Sequence, residues 1–406
     1  HVFEAKVTVE NSSFSKNYGR NGGSLFTNNA KAELTVKGCT FTEDYALNTG
    51  GSINNSNGTQ TIENCTFTGC YNLGGAGGAI HINGASAVQT LKNCVFTACE
   101  ANRNNSYTKV AAKASGGAIS VQNAYLDISD CTFDGNMGSA GSAMLLQSGD
   151  GLVRVSDCVF KNNKGASHGL IQTNGKAVLF MNNCQIFDNT LRTNQWGTVV
   201  HGRNSSVVCM NNCSIYNNVS LQAEGNSVCL NTDGYLLTAN TSVIGNNALA
   251  LCRMNDAGGT RGWYDNCVLV NEHITAPVFL KAAATSVILH HDIIGGAKVA
   301  DSDGTWLEKN KVEFDPKSSF CNGSSFDKSK GYWKWNGPSE LFTKAKEADI
   351  ITRLNDITTN NGNTRLKGAF APKFVEWVES LGGFNKDQLG TARTTSGTWP
   401  GSVELK

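Results

Sequence analysis

The sequence predicts an all-β chain wound as a right-handed, single-stranded parallel β-helix, a solenoid with coils of about 27 residues and a partly helical C-terminal cap. Three columns of residues recurring in step predict it. The first is a small-residue turn feeding an apolar strand: Gly22-Gly23-Ser24-Leu25, Gly50-Gly51-Ser52-Ile53, Gly77-Gly78-Ala79-Ile80 and Gly116-Gly117-Ala118-Ile119. It decays to Gly141-Ser142-Ala143-Met144, His168-Gly169-Leu170-Ile171, Trp196-Gly197-Thr198-Val199 and Gly225-Asn226-Ser227-Val228. The second is an aromatic or aliphatic residue three before an Asn: Phe14/Asn17, Phe133/Asn136, Phe160/Asn163, Ile186/Asn189, Ile215/Asn218 and Ile244/Asn247. The third stands two residues before that apolar position: Ser12, Cys39, Cys65, Cys94, Cys131, Cys158, Cys184, Cys213, Ser242 and Cys267, at intervals of 25 to 29 residues with one of 37.

Each column has a physical reason. Parallel strands of adjacent coils lie about 4.8 Å apart, so equivalent side chains stack as ladders. The Phe and Ile positions form an inward apolar ladder that no single coil can bury alone. Asn suits a corner, where its amide bonds backbone and its neighbours and tolerates unusual φ/ψ. Paired Gly permits positive φ and close approach of coils. Val121, Leu126-Asp127-Ile128 and Val153-Arg154-Val155 alternate as strands with one buried face should.

Composition agrees. A chain of 406 residues usually holds two or three domains, but in a repeat protein each coil contacts only its neighbours and one core can lengthen indefinitely. Gly is abundant at 44, Pro scarce at 5 and charged residues only 17%, which argues against disorder. Lys+Arg (34) and Asp+Glu (33) nearly cancel, so global charge gives no support for nucleic-acid binding. No run of 18 or more apolar residues offers a membrane-spanning helix. The opening HVFEAKVTVENSSFSKN reads as the second half of a coil, from which we expect residues upstream of His1 that cover the first coil.

The repeat organises residues 1–275; residues 276–406 read as irregular final coils plus a helical cap that shields the last strand edges. Helical spacing runs through Leu341, Phe342, Ala345, Ala348, Ile351 and Leu354, and a second short helix over 371–381 stops at Gly382-Gly383.

The GGAI and FxxN columns resemble the repeats of polymorphic outer-membrane proteins and of pectin-lyase-like β-helices. Phe374-Val375-Glu376-Trp377-Val378, then Lys386-Asp387-Gln388-Leu389-Gly390-Thr391-Ala392-Arg393 and Trp399-Pro400-Gly401, resemble the terminal segment of secreted Bacteroidales β-helix proteins, where a D-Q-x-G-x-x-R turn closes the last coil. Leu389 departs from the Arg frequent in that pattern, and Gly401-Ser402-Val403-Glu404 from its G-A-Y-E ending. The resemblance implies a fold and a secreted or cell-surface location, and it implies no activity.

Chemistry is sparser. The ladder cysteines are expected as unbridged core thiols, because parallel Cβ vectors about 4.8 Å apart suit a disulfide badly. Cys70 and Cys99 stand in for the corner Asn, and packing accounts for the 14 cysteines better than a disulfide among the off-ladder ones or a metal site does. Asn231-Thr232-Asp233-Gly234 matches the first motif of polygalacturonase-type glycosidases, which need paired carboxylates. The next coil supplies Asn246-Asn247 instead, so a corner turn is the better reading. Asp301-Ser302-Asp303-Gly304 lacks the further ligands of a Ca²⁺ loop and reads as a turn. Trp333 and Trp335 alternate onto one face, either under the cap or as a sugar-stacking platform. His81 is expected to face out and His201 in, as a core residue.

The one large insertion, Glu100–Ser115, carries Arg103, Tyr107, Lys109 and Lys113. Loops of succeeding coils present His168, then Arg192 and Trp196, then Arg253, Arg261, Trp263 and Tyr264 along what should be one rim, either an ordinary solvated edge or a binding face. We therefore expect a monomeric, secreted or cell-surface protein, peripheral to the membrane, that binds extracellular polysaccharide or serves as an adhesive scaffold. Its ligand-binding residues would be Arg103, Tyr107, Lys109, Lys113, His168, Arg192 and Trp196, whose cations favour an anionic glycan. No cofactor or metal is expected. The rivals are a polysaccharide lyase or glycosidase acting at this rim, and a rigid spacer roughly 50 Å long.

Overall fold

Every coil lays down three short strands, and pairing between coils in parallel register makes each strand a rung of a sheet. The computed structural model describes residues 1–105, 115–147, 149, 151–191, 198–220, 228–232, 234–248, 250–254, 262–270, 279–280, 287–290, 292–295, 324–327, 332–335, 348, 350–352 and 371–393. The chain forms two units, one of His1–Leu179, Asp188–Ser206 and Val219–Ser227, the other of Phe180–Phe187, Val207–Asn218 and Val228–Lys406.

In the first unit, one sheet stacks Lys6–Glu10, Glu33–Lys37, Thr59–Glu63, Val88–Lys92, Tyr125–Ser129 and Leu152–Ser156. A second stacks Ser13–Ser15, Thr40–Thr42, Thr66–Thr68, Val95–Thr97, Thr132–Asp134 and Val159–Lys161. The third stacks Leu25–Thr27, Ile53–Ser56, Ile80–Asn83, Ile119–Gln122, Met144–Gln147, Ile171–Thr173 and Thr198–Gly202. The first two sheets alternate as expected of one buried face: Leu34, Val36 and Phe41 are buried, while Glu33, Lys37, Thr40 and Thr42 point to solvent. Phe14, Phe41, Phe67, Phe96, Phe133 and Phe160 form a continuous column, with ring centroids 4.6 to 5.0 Å apart and planes within 9° of parallel.

The corners explain the other two columns. A left-handed residue such as Asn64 or Asn93 precedes each ladder cysteine, which then does two jobs. Its sulfur accepts the amide of the equivalent residue one coil earlier, as from Cys39 to Cys65 Sγ (3.4 Å), and its thiol donates to the carbonyl two residues back, as from Cys65 to Glu63 O (3.2 Å). At the next corner Asn163 Oδ1 accepts from Asn136 N at 2.9 Å, while Asn163 Nδ2 donates to Phe133 O at 3.0 Å. Asp44, Cys70 and Cys99 occupy this Asn column near its start, Cys70 Sγ donating to Phe41 O at 3.4 Å. Glycine is required at the turn into the third sheet: Gly50 has φ of 65°, and a Cβ on Gly51 would lie 2.0 Å from Gly78 O.

Two registers differ by one residue from the expectation. Ile171 pairs with Val200, not Val199, which puts His201 at the same height as His81. Ile215 pairs with Val243, so Asn246 rather than Asn247 continues the Asn ladder, and Thr241 rather than Ser242 occupies the cysteine position. Neighbouring residues are buried on both faces in these strands, so alternation cannot choose between them.

In the second unit one sheet stacks Val207–Asn211, Tyr235–Ala239, Gly262–Asp265 and Val287–His290, and another Gln185–Phe187, Ser214–Tyr216, Ser242–Ile244, Val268–Val270 and Ile293–Gly295. Val228–Thr232, Ala250–Met254 and Phe279–Leu280 form a third. Val207–Asn211 and Tyr235–Ala239 are buried along their whole length. The helix Ala371–Ser380 covers one outer face of this unit. Phe374 meets Phe180 edge-on at 5.2 Å, and the helix lies against Val207–Asn211. The turn that follows is pinned there too: Gln388 Nε2 donates to Cys184 O at 2.9 Å and Arg393 Nη2 to Asn212 Oδ1 at 2.9 Å. Asp387 Oδ1 closes that turn by accepting from Leu389 N and Thr391 N. Ser324–Asp327 and Tyr332–Trp335 pair antiparallel and so form no coil.

Candidate functional site

Between the second and third sheets of the first unit, most coils add a fourth, short flanking strand: Tyr18–Asn21, Tyr45–Thr49 and Tyr71–Asn72 in one group, Met137–Ala140, Lys164–His168, Thr190–Leu191 and Val219–Ser220 in another. The residue four after each inward Phe opens this strand. In the first three coils it is Tyr18, Tyr45 and Tyr71, paired in register. Ala46 and Asn72, next along, are turned inward and fully buried. The tyrosines therefore point outward, and Tyr18 is 55% exposed. Their rings form a column: Tyr18 and Tyr45 are tilted at 36° with centroids 4.9 Å apart, and Tyr45 stacks on Tyr71 at 5.1 Å with planes 5° from parallel. Leu47 and Leu73, two residues further on, extend this side as an apolar strip.

The insertion is rooted at the end of this column. Glu100 is the next rung, bridged to Tyr71 and to Met137. The 3-10 turn Arg103–Asn105 follows, and Arg103 lays its guanidinium 3.5 Å from the centroid of the Tyr71 ring while Nε donates to Glu100 Oε2 at 2.7 Å. Asn72 fixes this root: its Oδ1 accepts from Asn102 N at 2.8 Å and its Nδ2 donates to Gly77 O at 3.0 Å. The result is an outward aromatic column with a regular repeat, closed at Tyr71 by a cation. Tyr18, Tyr45 and Tyr71 escaped the sequence reading, although their F-x-x-x-Y spacing after Phe14, Phe41 and Phe67 was visible.

Of the residues expected at the rim, Arg103 belongs to this stack. His168 closes the strand Lys164–His168, opposite Ala140, and its ring stacks on His201 with centroids 6.1 Å apart and planes 8° from parallel. Burial first, and then the positive charge of Arg203, push the His168 imidazole down to about 4. Tyr107, Lys109, Lys113, Arg192 and Trp196 lie outside the described residues, as do Arg261 and the Asp301–Gly304 turn. Trp263 and Tyr264 are not on a rim loop; they sit within the strand Gly262–Asp265 and are buried.

His81 faces out as expected but is buried, and His201, expected to face in, turns the same way. His81 and His201 share one column with Asn54, Ser120, Leu145 and Gln172, so both turn away from the Ile80 and Ile82 side of the strand. All of these side chains are nonetheless buried, and at the start of the column Asn54 Nδ2 donates to Thr49 Oγ1 of the flanking strand at 2.7 Å. Burial alone pushes His81 down to about 4. In the Asn231–Gly234 segment, Gly234 N donates to Thr232 Oγ1 at 2.9 Å, which is a local turn contact. Asn246, where a glycosidase would carry a carboxylate, is a rung of the Asn ladder. Among the described residues no three His, Cys, Asp or Glu side chains gather as a metal site would require.

The sequence profile of the family described as the right handed beta helix region matches residues 2–208, just over half of the 406 residues. No curated protein and no solved structure matches the chain.

Proposed function

The chain belongs to the right-handed β-helix family, and on that scaffold we propose a secreted or cell-surface protein that binds extracellular glycan, as an adhesive or recognition domain. The observation that carries this reading is the outward stack of Tyr18, Tyr45 and Tyr71, which repeats once per coil and ends under Arg103. A polysaccharide is itself a repeat, and a solenoid offers each of its units the same side chain in the same setting. Tyrosine fits the task, since the ring contributes apolar contact at low entropic cost and the hydroxyl both donates and accepts. Arg103, at the root of the insertion, and Tyr107, Lys109 and Lys113 within it are proposed as further ligand-binding residues. His168 is left out, its ring being turned onto His201.

A glycan array probed with the purified chain and with Tyr45→Ala tests the reading. Binding of one or a few glycans by the parent, reduced about tenfold or more in the variant, is the expected result for a central aromatic contact. An array on which the parent binds nothing refutes it.

A further inference from the structure

On the second sheet of the first unit, each inward Phe is flanked by two outward residues. They are Ser13 and Ser15 around Phe14, Thr40 and Thr42 around Phe41, Thr66 and Thr68 around Phe67, and Val95 and Thr97 around Phe96. Pairing is in register across these four coils, so Ser13, Thr40, Thr66 and Val95 form one column and Ser15, Thr42, Thr68 and Thr97 a second beside it. None of the eight is charged or aromatic. Thr40 Oγ1 donates to Ser13 Oγ at 3.1 Å, while the hydroxyls of Ser15, Thr42, Thr66, Thr68 and Thr97 meet no partner among the described residues. Seven hydroxyls on one face are thus left almost entirely to water.

The rings beneath report how regular that face is. Centroids of Phe14, Phe41, Phe67 and Phe96 follow one another at 4.7 to 4.8 Å, with planes 4 to 6° from parallel. Neighbouring strands ordinarily rotate by about 20–25°, so these coils stack with little twist and the face they build is close to flat. Along each strand, residues two apart stand about 6.6 Å from one another. Threonine is stiff at χ1, and its hydroxyl and methyl hold their places at little further cost in freedom. The outward groups therefore form a flat, two-dimensional grid of about 4.8 by about 6.6 Å.

We propose that this grid is an ice-binding face, a second site independent of the tyrosine column. Its two repeats come close to those that separate oxygens on a prism face of hexagonal ice. Water bonded to the hydroxyls and caged around the methyls is held at positions that the crystal lattice can share. Ordered water suits the grid better than sugar does, because a sugar ring seeks an aromatic platform and the grid has none. The nearest ion pairs, Lys16–Glu43 and Lys37–Glu63, stand outside both columns. The first sheet supplies an internal contrast. Thr8, Thr35, Thr61 and Thr90 also stack in register there, but as a single column flanked by Lys6, Glu33, Lys37 and Glu63, which offers no uncharged grid.

The test uses the whole purified chain and ice itself as the probe. It measures the fraction of protein taken into slowly grown ice and the growth of single ice crystals held just below their melting point. The parent should enter the ice and slow or reshape the crystals. The double variant Thr42→Lys with Thr68→Lys, which puts two bulky hydrated charges on the grid, should lose most of both effects, while Thr35→Lys should keep them. Denaturant melts check that the variants are folded, and if the double variant is not, Thr68→Lys alone is read in its place. A parent excluded from ice as an unrelated protein is, or a folded grid variant that enters ice as the parent does, would overturn the proposal. So would a glycan whose binding is lost in the grid variant and kept in Tyr45→Ala, which would make the grid a sugar face. The reading at the tyrosine column fails separately, on the glycan array.

Discussion

Replacing His81 should flatten the acid sensitivity of the first unit. The imidazole is 6% exposed, its Nδ1 has no hydrogen-bond partner among the described residues, and burial lowers its pKa from 6.5 to about 4. Because the folded value lies below the unfolded one, the neutral form is the folded form. Stability is then unaffected above about pH 6.5 and falls as the pH drops toward 4, where the unfolded chain binds a proton that the folded chain refuses. The gap between 6.5 and about 4, at ~1.36 kcal/mol per pH unit, gives a loss of about 3 kcal/mol. His81→Asn supplies the residue found one rung away at Asn54 and removes the titrating group. Urea melts of parent and variant at neutral pH and at pH steps down to 4 measure the effect as a difference between the two proteins, in which the titration of shared carboxylates cancels. The gap between the two proteins should change in the variant's favour by about 3 kcal/mol over that range. Parallel stability–pH curves would show that His81 meets water or a partner, and would refute the buried-column argument.

Two further outcomes test the ladders. Phe133 lies between Phe96 at 5.0 Å and Phe160 at 4.6 Å with no exposure, so Phe133→Ala should cost about 3–5 kcal/mol in denaturant melts; a loss under ~1 kcal/mol would place the ring outside the core. Cys39, Cys65, Cys94, Cys131, Cys158, Cys184 and Cys213 are buried and unbridged, and the hydrogen bond with Cys131 first, and then burial, push Cys94 up to about 12. Thiol reagents at neutral pH should therefore find these seven only after denaturation, and rapid native reaction, or recovery of paired disulfides, would contradict the ladder.

The period, the inward Phe column and the unbridged thiols were legible in the sequence because each depends on what a single coil must do to bury its face and turn its corners. The same holds for Leu126-Asp127-Ile128, whose alternation reports one wet and one dry side, and for the helix over Ala371–Ser380. The tyrosine stack was half legible: its spacing is in the sequence, but its outward direction follows only from the buried Ala46 and Asn72 beside it. Tertiary structure alone decided which outward residues meet water. His81 and His201 point away from the core side and are buried nonetheless, and Ser214 is covered by Gln388 from a segment 174 residues away. The one-residue offsets at Val200 and Val243 have the same cause. Where both faces of a strand are covered, period-two alternation disappears, and only hydrogen-bonded pairing between coils fixes which residue stands on which ladder.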